Sequence, residues 1–399
     1  MSDNVTDQQN GKRPSIFNTI NSVSDSDNRD EARRLMQICN ACRYCEGYCA
    51  VFPAMTRYRQ FTDSSLDYLA NLCHDCRGCY HSCQYAEPHE FNVNVPQTFN
   101  RLRAQTWEEH AWPGFLSKAF QCNGLVVSLL LALSIAVVFV VSAVLNDSDG
   151  FFRAYPDGNF NAIIPHGVMV ALAGPVFLFS LLALAISGFS FWRHIHRDKT
   201  PAEKSPNTPV SEQQLTDQAP EAILQYSSTA KALNDTLTLK NLGGAGHGCN
   251  DNTERFSMLR RYLHHATFYG FMLCFLATST GTIYHYVFGW KAPHDYLSLP
   301  VLFGTIGGIA LCIGTAGQFL MKLNLADYRR TPELMGMEGG FIALLFLTSL
   351  TGLLLLGLRE TAAMGVILAV HLGFVLTLFL VLPYSKMVHG MYRMLAMAR

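Results

Sequence analysis

Eight cysteines that precede the first long apolar stretch carry the clearest chemistry in this sequence. They form two copies of one spacing, with intervals of two, two and three residues: Cys39, Cys42, Cys45 and Cys49, then Cys73, Cys76, Cys79 and Cys83. This spacing is typical of the bacterial [4Fe–4S] motif, in which thiolates bind the corners of an iron–sulfur cube. The duplicated motif therefore predicts two [4Fe–4S] clusters.

The fourth ligand of each cluster is expected to come from the other motif, as in two-cluster ferredoxins. The predicted ligand sets are Cys39, Cys42, Cys45 and Cys83 for one cluster, and Cys73, Cys76, Cys79 and Cys49 for the other. Zinc fits the spacing poorly, because zinc sites usually use two separated pairs of ligands. Disulfides are rare in the cytoplasm, where this region is expected to lie.

Histidines within or beside apolar stretches form a second group of candidate ligands, because ionisable residues in such positions are usually functional. The leading candidates are His264, His285, His371 and His389, with His265 and His166 as alternates. Histidine is an established haem ligand, so the group predicts one or two haems b. The alternative is that these side chains only form hydrogen bonds with headgroups or neighbouring helices.

Six stretches that would position these histidines contain no Asp, Glu, Lys or Arg. Each is long enough to cross a bilayer, which needs about 20 apolar residues. They are Gly124–Leu145, Ile163–Trp192, Tyr262–Trp290, Tyr296–Met321, Gly339–Leu358 and Thr361–Ser385. Six membrane spans in contact with lipid are predicted, because buried soluble helices seldom run this long without a charge.

The third and sixth spans would run antiparallel, which predicts how the histidines pair. His371 and His389 lie about five helical turns apart and would share one face of a continuous helix. His264 can then meet His389 near the cytoplasmic face, and His285 can meet His371 nearer the outer face. Two bis-histidine haems, one in each leaflet, would satisfy this pattern.

Charge predicts the orientation of the spans and limits the class of protein. With the N-terminal region in the cytoplasm, twelve Lys and Arg residues flank the inner ends of the spans and three lie in outer loops. This bias predicts a cytoplasmic (inner) membrane protein with both termini in the cytoplasm. The 30 basic residues only balance the 30 acidic ones, so nothing indicates binding to nucleic acid.

The expected fold is all-α, with three parts. A disordered polar tail without a signal peptide covers residues 1–30, an α-helical ferredoxin domain with two clusters covers 31–112, and a six-helix, cytochrome-b-like membrane domain covers 113–399. Residues 193–261 would form a cytoplasmic loop. Leu and Met at helical spacing in Asp30–Met36 and Ser64–Leu72 favour a helical ferredoxin over a β-rich one.

Four segments resemble the tricarballylate/citrate utilisation protein B family. They are CNACRYCEGYCAVFP at Cys39–Pro53, CHDCRGCYHSC at Cys73–Cys83, GGAGHGCND at Gly243–Asp251 and RRYLHHATFYGF at Arg260–Phe271. The resemblance extends from about residue 31 to the C-terminus. It implies a membrane protein that reoxidises a separate FAD-dependent tricarballylate dehydrogenase through iron–sulfur clusters and haem.

The glycine-rich segment follows no predicted strand, so it is not a dinucleotide-binding fingerprint. The chain is therefore expected to have no flavin site and no substrate-oxidising site of its own. The segment is either a tight turn with a helix cap, or an element that docks a partner or lies at the haem edge.

These features predict a relay from the partner's reduced FAD through two [4Fe–4S] clusters and haem b to the quinone pool. A quinone reductase activity of the chain itself stays open. One alternative keeps the relay and changes the partner to another flavoprotein dehydrogenase. A second alternative is a membrane sensor or assembly protein that contains a structural metal.

Overall fold

The computed structural model describes residues 25–120, 123–146, 148–197, 221–246, 248–250, 255–323 and 332–399. The regular elements in these ranges are helices, and the one β-type pairing is an isolated antiparallel bridge between Cys249 and Ser257. The predicted all-α class is confirmed. Most of the predicted tail, residues 1–24, and much of the predicted cytoplasmic loop, residues 198–220, lie outside the described residues.

Five helices form the N-terminal region: α1 (Asp25–Cys42), α2 (Val51–Met55), α3 (Asp63–Leu72), α4 (Gly78–His81) and α5 (Val95–His110). The side chain of Thr62 caps α3, and that of Asn94 caps α5, each by accepting a hydrogen bond from a backbone N–H of the first turn. Leu35, Leu69 and Phe99 are fully buried between these helices. The first cysteine motif therefore begins in the last turn of α1, and the second begins directly after α3, so this core fixes the start of both motifs.

Six helices among the described residues have the length and apolar composition to cross a membrane. They are α6 (Asn123–Leu145), α8 (His166–Ile195), α10 (Leu259–Tyr286), α11 (Leu299–Leu323), α12 (Pro332–Gly357) and α13 (Met364–Val381). A short helix, α7 (Ser148–Phe151), follows α6, and α9 (Glu221–Leu237) lies between α8 and α10. The prediction of six spans is confirmed, with ends that differ by a few residues.

The sixth span is not the continuous helix that the spacing of His371 and His389 predicted. Two 3-10 turns separate α13 from another helix, α14 (His389–Ala398). Pro383 has no backbone N–H to donate, and Ser385 adopts an extended backbone with φ −130° and ψ 177°. The chain therefore changes direction before His389, and the two histidines do not share a helix face.

α10 and α11 approach each other closely because glycines lie where the helices meet. A Cβ atom added to Gly270 would lie 2.8 Å from the backbone nitrogen of Leu311, and one added to Gly307 would lie 2.8 Å from the carbonyl oxygen of Gly270. Small residues permit such backbone contact in membrane bundles. This contact fixes the position of α10, which carries three of the candidate histidines.

The N-terminal region and the membrane bundle share one hydrophobic core. Phe191 from the end of α8 and Tyr392 from α14 belong to the same buried cluster as Trp107 of α5. The ring centroids of Phe191 and Tyr392 are 4.7 Å apart, and those of Trp107 and Tyr392 are 6.4 Å apart. His194 adds a polar contact, with its Nε2 2.8 Å from Oδ2 of the fully buried Asp67. The cysteine region is therefore fixed directly to one end of the bundle.

Candidate functional site

The structure brings together the first predicted ligand set, here called the outer cysteine set: Cys39, Cys42, Cys45 and Cys83. These four residues line one cavity of about 270 Å³. Arg43 has a left-handed backbone, with φ 54°, which turns the chain after α1 so that the third cysteine lines the same cavity. Tyr44 also lines it and is 67% exposed, so the cavity lies at the protein surface.

The second predicted set, here called the inner cysteine set, consists of Cys49, Cys73, Cys76 and Cys79. Burial raises the pKa of Cys79 well above its usual value, and the three other thiols of the set raise it further. Burial also raises the pKa of Cys49, with the neighbouring Cys73 as the next cause. In the outer set, burial and then Cys83 raise the pKa of Cys39 to about 12. The structure thus places the last cysteine of each motif beside the other motif.

The chemistry of these donors fits an iron–sulfur centre. Buried thiols that resist ionisation singly become thiolates together only when a strongly cationic centre binds them. The two sets together supply eight cysteines that form no disulfide, four for each centre. Four thiolates for each centre are the donor set of a [4Fe–4S] cluster.

Arginines from distant parts of the chain hold the loop of the inner set. Arg103 of α5 and Arg393 of α14 both donate to the carbonyl oxygen of Cys73, at 2.6 and 2.8 Å. Arg260, at the start of α10, donates to the carbonyl oxygen of Asp75 and lies 3.7 Å from its carboxylate. In the sequence, Arg260 and Arg393 are two of the twelve basic residues that flank the inner ends of the spans. No local pattern links them to the cysteines.

The glycine-rich segment docks on the same loop. The backbone N–H of Asn250 donates to the carbonyl oxygen of Cys76 at 3.0 Å. Gly248 has φ +112°, and a Cβ atom there would lie 2.6 Å from the carbonyl oxygen of Ser257, so only glycine fits. The segment therefore ties the inner set to the entry of α10. Residues 247 and 251 of the segment lie outside the described residues.

The histidine pair predicted near the cytoplasmic face is brought together. The ring centroids of His264 and His389 are 5.9 Å apart, with an interplanar angle of 43°. An imidazole nitrogen lies about 2 Å from the metal that it binds, so two rings on opposite sides of one iron have centroids about 6 Å apart. Nδ1–H of His389 donates to the carbonyl oxygen of Lys386, which leaves Nε2 for a metal. The spacing of this pair therefore matches that of two histidines that share one haem iron.

His74, which follows a cysteine of the inner set, lies beside this pair. Its Nδ1–H donates to the carbonyl oxygen of Leu72 at 2.8 Å. Burial and the charge of Arg393 lower the pKa of His74, and a smaller contribution comes from His264. Burial and Arg393 likewise lower the pKa of His389. Arg393 contacts Cys73 and lies on the same helix as His389, so it connects the inner set with the histidine pair, a role that the sequence did not indicate.

The structure does not bring together the pair predicted nearer the outer face, His285 and His371. His285 stacks on His166 of α8, with ring centroids 3.9 Å apart, which is too close for an iron between them. Nδ1 of His371 lies 3.1 Å from the hydroxyl of Thr351 in α12. The two histidines lie apart because α13 packs mainly against α6, α8 and α12, whereas α10 packs mainly against α11. The alternate His265 stacks on an aromatic ring of its own helix.

A helical cysteine-rich domain fixed to a six-span bundle defines a multi-pass membrane protein with an iron–sulfur electron-transfer role. Residues 121–399 match the family model for citrate utilization protein B, and residues 32–109 match the model for its Fer4-like domain. The chain is 42% identical to citrate utilization protein B of Escherichia coli over 364 residues, which cover 91% of this chain and 89% of that protein. The chain belongs to the citrate utilization protein B family, as the sequence resemblance predicted. No solved structure matches it significantly.

Proposed function

We propose that this protein transfers electrons from the reduced flavin of a separate dehydrogenase to membrane quinone, using two [4Fe–4S] clusters and one haem b. The observation that carries the proposal is a series of candidate ligand sites joined by direct contacts. It begins with the outer cysteine set at the surface and continues with the inner set, where Arg393 donates to the carbonyl oxygen of Cys73. It ends with the pair His264 and His389, and His389 lies on the same helix as Arg393.

The residues of this chain have separate tasks in the proposed relay. Iron–sulfur clusters and haem supply one-electron carriers when they are bound. The two cysteine sets, which pack on one hydrophobic core, would hold the clusters. His264 and His389 would hold the haem, and the carbonyl oxygen of Lys386 fixes the ring orientation of His389. The openness of the outer set makes it the point at which a partner delivers electrons.

The proposed partner is an FAD-dependent tricarballylate dehydrogenase. The relative from Escherichia coli is named for citrate utilization, and tricarballylate is a closely similar tricarboxylic acid. A one-electron acceptor suits a flavin donor, because reduced flavin can release its two electrons singly. The excess of Lys and Arg at the inner flanks of the spans supports an inner-membrane location, with the cysteine region in the cytoplasm.

Composition analysis of the purified full-length protein tests the cofactors. We expect iron and acid-labile sulfide sufficient for two [4Fe–4S] clusters, together with haem b bands in a reduced-minus-oxidised visible spectrum. Zinc without sulfide or visible bands would contradict the proposal and favour a structural metal in a sensor or assembly protein.

Reconstitution in vesicles that contain quinone tests the partner. With the tricarballylate dehydrogenase added, we expect tricarballylate to reduce the haem and then the quinone. A parallel reaction with a succinate-type dehydrogenase serves as the control. Haem reduction only in the control reaction would overturn the tricarballylate assignment and leave the relay intact.

A further inference from the structure

The inner cysteine set lies in a strongly positive environment. Arg103 is 3% exposed, and both it and Arg393 donate to the carbonyl oxygen of Cys73. The carboxylate of Asp75 lies within ion-pair distance of Arg77 and Arg260. In the part of the chain that the structure describes, no carboxylate forms an ion pair with Arg103 or Arg393. Four guanidinium groups therefore surround one carboxylate beside the inner set.

One of these guanidinium groups has unused hydrogen-bonding capacity. Nε of Arg393 is buried and has no hydrogen-bond partner among the described residues. A buried, charged donor without a partner costs free energy. An anionic centre at the inner set would offset both this cost and the excess of positive charge.

The outer cysteine set lacks such an environment. Among the described residues that line its cavity, the charged one is Arg43, which is exposed and donates to the carbonyl oxygen of Asn40 in the last turn of α1. Water and salt screen an exposed charge strongly, whereas a buried charge keeps most of its effect. The two cysteine sets therefore have the same ligands and very different electrostatic surroundings.

We infer that Arg103, Arg260 and Arg393 make the inner set the higher-potential site and so direct electrons from the outer set towards the membrane. This inference rests on the proposed function. A cluster bound by four thiolates is anionic and gains one further negative charge on reduction, so fixed positive charges favour its reduced form. In the proposed transfer between the clusters, one electron would leave the reduced outer cluster and reduce the inner cluster, with no bond broken and no proton moved.

A redox titration of the purified full-length protein, followed by EPR of the reduced clusters, tests this inference. Cys42→Ser and Cys76→Ser, which perturb one set each, assign the two signals. In the unmodified protein, we expect the inner cluster to be reduced at the higher potential. Arg393→Gln should lower the potential of the inner cluster and leave that of the outer cluster unchanged.

Two further variants separate charge from structure. Arg393→Lys keeps the charge and should restore most of the inner potential, while Arg43→Gln is the matched control that should leave the inner potential unchanged. Arg260 is partly exposed, so Arg260→Gln provides the same test if Arg393→Gln does not fold.

Equal potentials of the two clusters in the unmodified protein, or an unchanged potential of the inner cluster in both Arg393→Gln and Arg260→Gln, would overturn the inference alone. Absence of both cluster signals would overturn the proposed function with it.

Discussion

At the end of the bundle that contacts the cysteine region, His264 and His389 lie with ring centroids 5.9 Å apart, whereas at the opposite end His285 stacks directly on His166 at 3.9 Å. The first distance matches two rings that share one iron, whereas the second is too short for that. The first pair also lies where α10, α14 and the N-terminal region meet, so contacts from three parts of the chain fix it. The comparison teaches that a histidine in or beside a span becomes a candidate haem ligand because of the residues that pack around it. Its depth in the membrane alone is not sufficient.

The largest expected effect comes from removing a histidine at the cysteine end. His389→Ala should abolish haem b absorbance while both iron–sulfur signals remain, because the partner ring of His264 alone would not hold the haem firmly. The measurement is a reduced-minus-oxidised spectrum of the purified protein with iron and sulfide analysis.

His371→Ala is the matched variant for the opposite end, and it should retain the haem b spectrum. His371 is hydrogen-bonded to the hydroxyl of Thr351, and among the described residues no ring of another histidine packs against it. Loss of part of the haem in this variant would break the comparison, because it would show that the outer end also holds a haem.

A second contrast concerns buried charge at the two ends. Near the cysteine end, the carboxylate of Glu338 contacts both Lys322 and Lys386. Glu338→Gln should lower the free energy of unfolding by about 3 kcal/mol, the lower limit for breaking a buried ion pair, because both lysines are partly exposed.

The control at the opposite end is Glu360→Gln. Glu360 is 52% exposed and lies 3.8 Å from Arg359, so its loss should cost at most about 1 kcal/mol. Thermal unfolding of both variants in detergent measures the difference. Equal losses of stability would contradict the view that the cysteine end is the more tightly fixed one.

The junction between the cysteine region and α8 should weaken in acid. Burial, followed by the charge of His194, lowers the pKa of His110 from 6.5 to about 4. When the pH falls from about 6.5 towards 4, the unfolded chain therefore binds a proton that the folded chain does not, and stability decreases. The slope from one such site is at most about 1.4 kcal/mol per pH unit, and partial exposure of His110 reduces it.

His110→Asn should make the melting temperature less sensitive to pH over that range. Melting curves at several pH values compare this variant with the unmodified protein. An unchanged dependence on pH would show that His110 does not contribute to the acid sensitivity of the junction.

The smallest effect is expected from the stacked pair at the outer end. His166→Ala should cost about 1 kcal/mol, the scale of one pair of stacked rings, and should leave the haem spectrum unchanged. His166→Phe keeps a ring against His285 and should recover part of the melting temperature. A loss of haem in His166→Ala would place a ligand at this end after all.

Sequence patterns predicted the features that depend on residues close to one another in the chain. The six spans follow from the absence of charge within each stretch, and the spacing of the cysteines indicates their chemistry. The break after α13 also had a local signal, Pro383, which the periodicity argument overlooked. The pairing of His285 with His166 had none, because it depends on which helices are neighbours in the bundle.

The positions of Arg103, Arg260 and Arg393 around the inner set could not be predicted for the same reason. Arg393 and Cys73 are 320 positions apart in the chain, and their contact exists only when α14 has packed against the N-terminal region. The positive charge of Arg393 was visible beside a span, but charge alone does not identify its acceptor. Long-range contacts of this kind need the tertiary structure.

The contact between Arg393 and Cys73 also sets an order of events during biosynthesis. The N-terminal region leaves the ribosome before any span, whereas α14 follows all six. Arg393 can therefore contact the inner set only after the last span has been synthesised. Until then the carbonyl oxygen of Cys73 lacks its hydrogen bond from Arg393, so the surroundings of the inner set are complete only after α14 has packed against the N-terminal region.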